Sequence, residues 1–205
     1  MEIEMKYSVP DKQTADEIWT DTYIDSISDM NSVENLVMKA IYFDTEDLLL
    51  SKNNIAVRVR SEGSHYFATL KANGKQKDGL FTRDEINVPV SDESSFMELD
   101  PTIFKGSEPG DALIKIADGR KLTNLMEMRF LRRKKRISYS GSIMELALDS
   151  GSIITDKGEV PIMEMEIELF AGEPESIQSL GQKLAKQYNL NTKETSKFKD
   201  GLDLL

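Results

Sequence analysis

The chain opens Met1-Glu2-Ile3-Glu4-Met5-Lys6, with charged and apolar residues alternating at period two. In a strand, successive side chains point to opposite faces, so Glu2, Glu4 and Lys6 share one face and Ile3 and Met5 the other. Two carboxylates on one face suit a hard divalent cation. A lysine one step further along can hold an anion beside that cation. Alone, the hexapeptide also reads as a strand edge with its charges in water. The rest of the chain decides between the two, because the pattern returns.

Residues 55–60 place Arg58 and Arg60 on one face and Val57 and Val59 on the other. Residues 61–64 read as a turn. The return strand over 65–71 sets Phe67, Thr69 and Lys71 against Tyr66, Ala68 and Leu70. Residues 72–79 read as a polar loop, and 80–90 as a strand with Arg83, Glu85 and Asn87 on one face. The longest strand candidate is 122–139. Its alternation separates Arg132, Lys134 and Arg136 from Arg129, Arg133 and Lys135, and the second set reads as solvent-facing. Residues 142–149 oppose Glu145, Ala147 and Asp149 to Met144, Leu146 and Leu148, and Ser150-Gly151 reads as a turn. The alternation is strict over 162–170, with Glu164, Glu166 and Glu168 on one face.

Other segments carry other periods. Residues 12–20 read as a short amphipathic helix with Trp19 in the core, 21–34 as polar and turn-rich, and 36–44 as a strand. Residues 91–109 read as loop with short helical pieces, and 110–116 as a turn or two of helix. Residues 175–188 form an amphipathic helix with Ile177, Leu180, Leu184 and Tyr188 on one face. The tail places Lys193 and Lys197 near a further short helical stretch. No internal repeat or linker interrupts residues 1–205, which read as one domain.

Acids and bases are grouped by strand rather than mixed. Acids occupy the first strand and two late ones; bases occupy 58–71 and 132–136. An antiparallel barrel closed with the charged faces inward sets acids against bases in a polar lumen. The helices at 12–20 and 175–188 would then cover the outer apolar faces. The overall class is mostly β with some helix (α+β). So charged an interior is costly without ions, ligand or water. A polyphosphate accompanied by Mg²⁺ or Mn²⁺ meets both needs: oxygen ligands suit these metals, and arginine and lysine suit phosphate oxygens.

Composition excludes several alternatives. A net charge of -10 argues against a nucleic-acid-binding surface. No apolar run approaches the roughly 20 residues of a membrane helix, and the N-terminus has no signal-peptide pattern. With no cysteine, disulfides, thiolate zinc sites and thiol catalysis are excluded, and a cytoplasmic location fits. The single histidine, His65, leaves little for a His-based metal site or a serine triad.

Taken in order, Glu2-x-Glu4-x-Lys6, Tyr42-Phe43-Asp44-Thr45, Val57-Arg58-Val59-Arg60, Thr69-Leu70-Lys71, Arg83-Asp84-Glu85, Ala147-Leu148-Asp149-Ser150-Gly151, the strand of Glu164, Glu166 and Glu168, and Ser196-Lys197 resemble the CYTH superfamily, or triphosphate tunnel metalloenzymes. Within it the chain looks most like the bacterial inorganic triphosphatases. Where the family usually has an aromatic residue three positions after Arg132, this chain has Lys135. The resemblance implies a tunnel of eight antiparallel strands. It implies Glu2, Glu4, Asp149, Glu166 and Glu168 as ligands of one or two metal ions. Lys6, Arg58, Arg60, Lys71, Arg83, Arg132 and Lys197 would bind the triphosphate, with Glu85 orienting the bases; Glu145 and Glu164 share the inward face. Glu4, Asp149, Glu166 and Glu168 would serve catalysis by positioning the metal that activates a water. The expected reaction is hydrolysis of tripolyphosphate to pyrophosphate and phosphate, by a monomer or homodimer with no nucleic-acid or membrane partner. A thiamine triphosphatase, a class IV adenylyl cyclase and a non-catalytic polyphosphate-binding module remain the alternatives.

Overall fold

A computed structural model describes residues 1–77, 79–91 and 93–205. Eight strands are joined in the order β5-β4-β3-β2-β6-β7-β8-β1. They are β1 (Glu2–Ser8), β2 (Ser28–Asp44), β3 (Ala56–Glu62), β4 (His65–Lys77), β5 (Leu80–Val90), β6 (Thr123–Tyr139), β7 (Ser142–Thr155) and β8 (Gly158–Ala171). Every pairing is antiparallel. Glu2 to Met5 of β1 pair with Leu80 to Arg83 of β5 and close the barrel. Beyond that seam, Tyr7 and Ser8 pair with a short ninth strand, β9 (Asn191–Thr192). The expected closed eight-stranded barrel is the observed one.

Helices cover two outer faces. Helices α1 (Lys12–Trp19), α2 (Thr22–Ser26) and α5 (Pro174–Tyr188) pack over the outward residues of β1, β7 and β8. Ile177, Leu180 and Leu184 of α5 are fully buried, worth about 1.5–3 kcal/mol each. Helices α3 (Leu49–Lys52) and α4 (Glu108–Ala117) cover β2, β3 and β4, where Val57, Val59, Ala68 and Leu70 are fully buried. The sixth helix, α6 (Lys197–Leu202), lies inside. It packs Phe198 and Leu202 on an apolar cluster that includes Met38, Tyr42, Met126, Met128 and Phe130. The lumen is therefore charged along one part and apolar along another.

Several boundaries differ from the sequence reading. Residues 21–34 hold α2, capped by the Asp21 carboxylate accepting from the Ile24 amide at 2.8 Å, and the first half of β2. Residues 72–77 belong to β4, continuing past a bulge between Ala72 and Lys75; Asp78 of the expected loop lies outside the described residues. The turn expected at 61–64 shortens to Gly63 and Ser64. Strand β7 runs straight through Ser150-Gly151. Glycine is needed there because a Cβ would lie 2.1 Å from the Arg129 carbonyl oxygen on β6. The reason is close approach of two strands, not a turn. Short 3₁₀ turns and the start of α4 occupy the described part of 91–109; Asp92 lies outside it.

The outward basic set of β6 also divides. Arg129 is exposed and Arg133 pairs with Asp16 at 2.7 Å, but Lys135 is buried, 1% exposed. Its ammonium lies 4.5 Å from the Trp19 ring centroid and donates to Asp25 at 2.7 Å. Trp19 is accordingly half-buried at the margin of the core, where its ring shields this lysine.

Candidate functional site

Strand register builds the site. Across the β1–β8 ladder Glu4 faces Glu168 and Lys6 faces Glu166. Around the next two ladders Glu168 faces Glu145, Glu164 faces Asp149, and Asp149 faces Arg132. All project inward because each sits at even spacing from its neighbours along the strand. The resulting cavity of about 830 Å³ is lined on opposite sides by Glu4, Arg58, Arg83, Arg132, Glu166 and Lys197, among others.

One side is fully paired. Carboxylate oxygens of Asp149, Glu164 and Glu166 lie within 4.8 Å of one another. The Lys197 ammonium sits among them, 2.7 Å from Asp149, 3.0 Å from Glu166 and in contact with Glu164. Arg132 spans Asp149 with two hydrogen bonds of 2.7 and 2.6 Å and donates to Glu166 at 2.6 Å. Lys6 bridges Glu166 at 3.1 Å and Glu4 at 3.2 Å. Burial alone would push the Glu166 pKa up, but Lys197, Lys6 and Arg132 together hold it well below the usual range. Burial likewise opposes the Lys197 charge, and the three carboxylates override it and raise its pKa.

The other side is underpaired. Glu2 accepts from Lys71 at 3.1 and 3.2 Å and contacts Arg83, which also contacts Glu4. Lys71 contacts Glu85 as well. Beyond them Arg58 donates to the Tyr42 hydroxyl at 3.1 Å, and Arg60 pairs with Glu62 at 3.0 Å. The Nε atoms of both arginines are buried with no hydrogen-bond partner. Burial, then the neighbouring Arg58, depresses the Arg60 pKa; burial, then Arg83, depresses that of Lys71. The four carboxylates of this wall, Glu2, Glu4, Glu62 and Glu85, thus leave the Nε donors of Arg58 and Arg60 without acceptors.

Glu168 is the acidic counterpart. Among the described residues it has no ion-pair partner. Burial, then Glu2 and Glu4, pushes its pKa up to about 7. A buried carboxylate facing two others is stabilised by a proton or a cation. The donors here are carboxylate oxygens only, since the chain has no cysteine and its one histidine, His65, is exposed. That set fits a hard divalent cation.

The thirteen residues read from the sequence as site residues therefore all line or border one cavity, but in a different grouping. Asp149 and Glu166 join Glu164 around Lys197, and Lys6 links Glu166 to Glu4. Glu164, read as a less secure member, is fully buried at the centre of the densest carboxylate group. Tyr42, Lys134 and Phe198 also line the cavity and were not read as site residues. For Tyr42 the signal was present: it alternates with Ile41 and Phe43, which face outward into the core.

A closed antiparallel β-barrel with acids and bases concentrated along an internal tunnel is the class that fold and site define. Residues 1–202 match the CYTH domain family, and the chain belongs to it. It is similar to an inorganic triphosphatase of Haemophilus influenzae, 29% identical over 170 residues, or 82% of this chain. The chain spans about half of that relative's length, 46%. Among solved structures it is similar to a putative adenylyl cyclase from Hippeastrum described as having a dominant triphosphatase activity. The TM-score is 0.70, with 18% identity, over 99% of this chain and 96% of the other. It is also similar to a putative adenylate cyclase from Bacillus halodurans, with a TM-score of 0.65 and 24% identity over 96% of this chain and 94% of that one. At these identities the likeness is one of fold. Among the described residues no helix is long and apolar enough to cross a membrane.

Proposed function

We propose that this chain, acting as a single domain over residues 1–205, hydrolyses tripolyphosphate to pyrophosphate and phosphate in the barrel lumen with the help of Mg²⁺ or Mn²⁺. The observation that carries the reading is the pair of buried, unpartnered Nε atoms on Arg58 and Arg60 beside Lys71 and Arg83. Buried N–H donors without acceptors are costly, and an inorganic polyanion supplies the missing acceptors at several points at once. The likeness to an inorganic triphosphatase supports the same substrate.

Arg58, Arg60, Lys71 and Arg83 would bind the triphosphate chain and offset the negative charge that develops on its oxygens as the bridging bond breaks. Lys6 and Arg132 would extend this clamp towards the paired side, and Glu85, accepting from Asn87 at 2.7 Å and contacting Lys71, would hold the lysine in place. Glu2, Glu4 and Glu168 would hold the metal, with Asp149 and Glu166 available to a second ion, and its chemistry is to neutralise phosphate oxygens and acidify a bound water. No cysteine or histidine nucleophile is available to form a covalent intermediate in the cavity. The cysteine-free chain suits the cytoplasm, as a monomer or homodimer.

The deciding experiment is phosphate release from tripolyphosphate, ATP, thiamine triphosphate and pyrophosphate, each with Mg²⁺ and with Mn²⁺. Tripolyphosphate is expected to be the fastest, because the contacts on offer are to phosphate oxygens and an organic group adds bulk without binding. Cyclic AMP formation from ATP at a comparable rate would replace this reading with a cyclase.

A further inference from the structure

Arg58 is held in an unusual way. It is half-buried, its Nε is buried with no partner, and its hydrogen bond among the described residues is to a hydroxyl, that of Tyr42 at 3.1 Å. Its guanidinium carbon also lies 5.8 Å from the centre of the Tyr42 ring. A long flexible side chain is thus oriented by one tyrosine, and what fixes that tyrosine fixes the arginine.

The other contact of Tyr42 comes from the far end of the chain. Phe198 of α6 stacks on its ring, with centroids 4.9 Å apart and planes 24° from parallel. The stack is held tightly. Gly201, one turn along α6, lies so close to Met126 that a Cβ would be 2.2 Å from its sulfur. Leu202 packs on the same apolar cluster. Phe198 meets the anion wall at Tyr42, and its neighbour in the chain is Lys197.

We propose that Phe198 is a positioning residue: by stacking on Tyr42 it fixes the hydroxyl that aims Arg58 at the anion. This rests on the triphosphate reading of the same wall. The docked C-terminal helix then sets anion affinity through an aromatic contact, separately from the ion pairs of Lys197.

The test is a double-mutant cycle read as the Kd for tripolyphosphate by titration calorimetry in excess EDTA, with kcat and KM measured in parallel with Mg²⁺. Phe198→Leu keeps the apolar packing and removes the ring; Tyr42→Phe keeps the stack and removes the hydroxyl. Each is expected to weaken binding about fivefold, the scale of one aromatic pair. The double variant is expected to be weakened about fivefold again rather than by the product. Phe198→Tyr should restore parental affinity. The loss should fall on KM more than on kcat. Effects that multiply would show an independent route and overturn the relay, as would a Phe198→Leu protein that melts earlier yet binds as the parent does. A parent that binds tripolyphosphate but releases no phosphate would overturn the triphosphatase reading and leave the cycle in Kd intact. A parent that does not bind tripolyphosphate at all would overturn both.

Discussion

The two sides of the lumen hold similar numbers of charges and treat them in opposite ways. Around Lys197 every acid has a base: Asp149, Glu164 and Glu166 converge on one ammonium and share Arg132 and Lys6. Around Arg58 and Arg60 two guanidinium Nε donors are left without acceptors, and Glu168 faces Glu4 and Glu145 across its two ladders. A satisfied buried network rigidifies; an unsatisfied one stores unfavourable energy that a ligand can release. The paired side reads as scaffold and the underpaired side as the place where metal and anion enter.

Substitutions should therefore split by side. Glu4→Gln or Glu168→Gln keeps size and removes charge from the cation-holding set. Turnover is expected to fall by on the order of 10³ without rescue by more substrate. EDTA-treated Glu168→Gln should melt at or above the parental temperature, since like-charge repulsion is relieved, whereas Glu4→Gln also gives up its ion pairs to Lys6 and Arg83 and should melt somewhat lower. Full activity, or unfolding where the metal-free parent stays folded, would assign these carboxylates to structure. Arg58→Ala should lower kcat/KM by about 10²-fold, mostly through KM, and leave Tm unchanged or higher. Lys197→Met is expected to do the reverse in stability. Three buried carboxylates lose their common partner, and breaking such a network costs about 3–5 kcal/mol, or roughly 10 °C in Tm for a chain of this size. If Arg58→Ala destabilises as much as Lys197→Met, the contrast between the sides is wrong.

The smallest effect concerns pH. The folded-state pKa of Glu168, about 7, is above the ordinary 4.5. Between those values the folded protein binds more protons than the unfolded one. Its contribution is thus favourable at low pH and is lost as pH rises from about 4.5 through 7. Metal-free protein should melt a few degrees lower at pH 8 than at pH 5.5, and Glu168→Gln should flatten that slope. An unchanged slope in the variant would remove Glu168 as its source.

How far the chain could be read depended on where its polar and apolar faces separate. Strand β5 and helix α5 were legible almost to the residue, because one face of each is core and the other is not. The first half of β2 and the end of β4 were not: residues 28–35 and 73–77 are mostly polar on both faces, so no apolar alternation marks them as strand. The inner apolar cluster was hidden for the opposite reason. Around Val37, Met38, Ile41 and Tyr42, and again around Met126 to Leu131, both faces carry apolar residues, so alternation could not say which pointed inward. Within the site, the alternation identified which residues face the cavity. It could not group them, because grouping depends on which strands are neighbours and on a lysine brought in from the C-terminal helix.

The seam has a consequence in time. Strand β1 is the first segment of the chain, yet its partners are β5 and β8, and Glu4 meets Glu168 across its ladder with β8. Contacts so distant in sequence carry the largest loop-closure cost and slow folding. During synthesis β1 can meet β5 once residue 83 has emerged, but its ladder with β8 must wait for most of the chain. The carboxylates that would take the metal stay apart until then, so ion binding and barrel closure become a single late event. If these carboxylates hold a divalent cation as proposed, that ion would fasten the barrel as well as aid its chemistry.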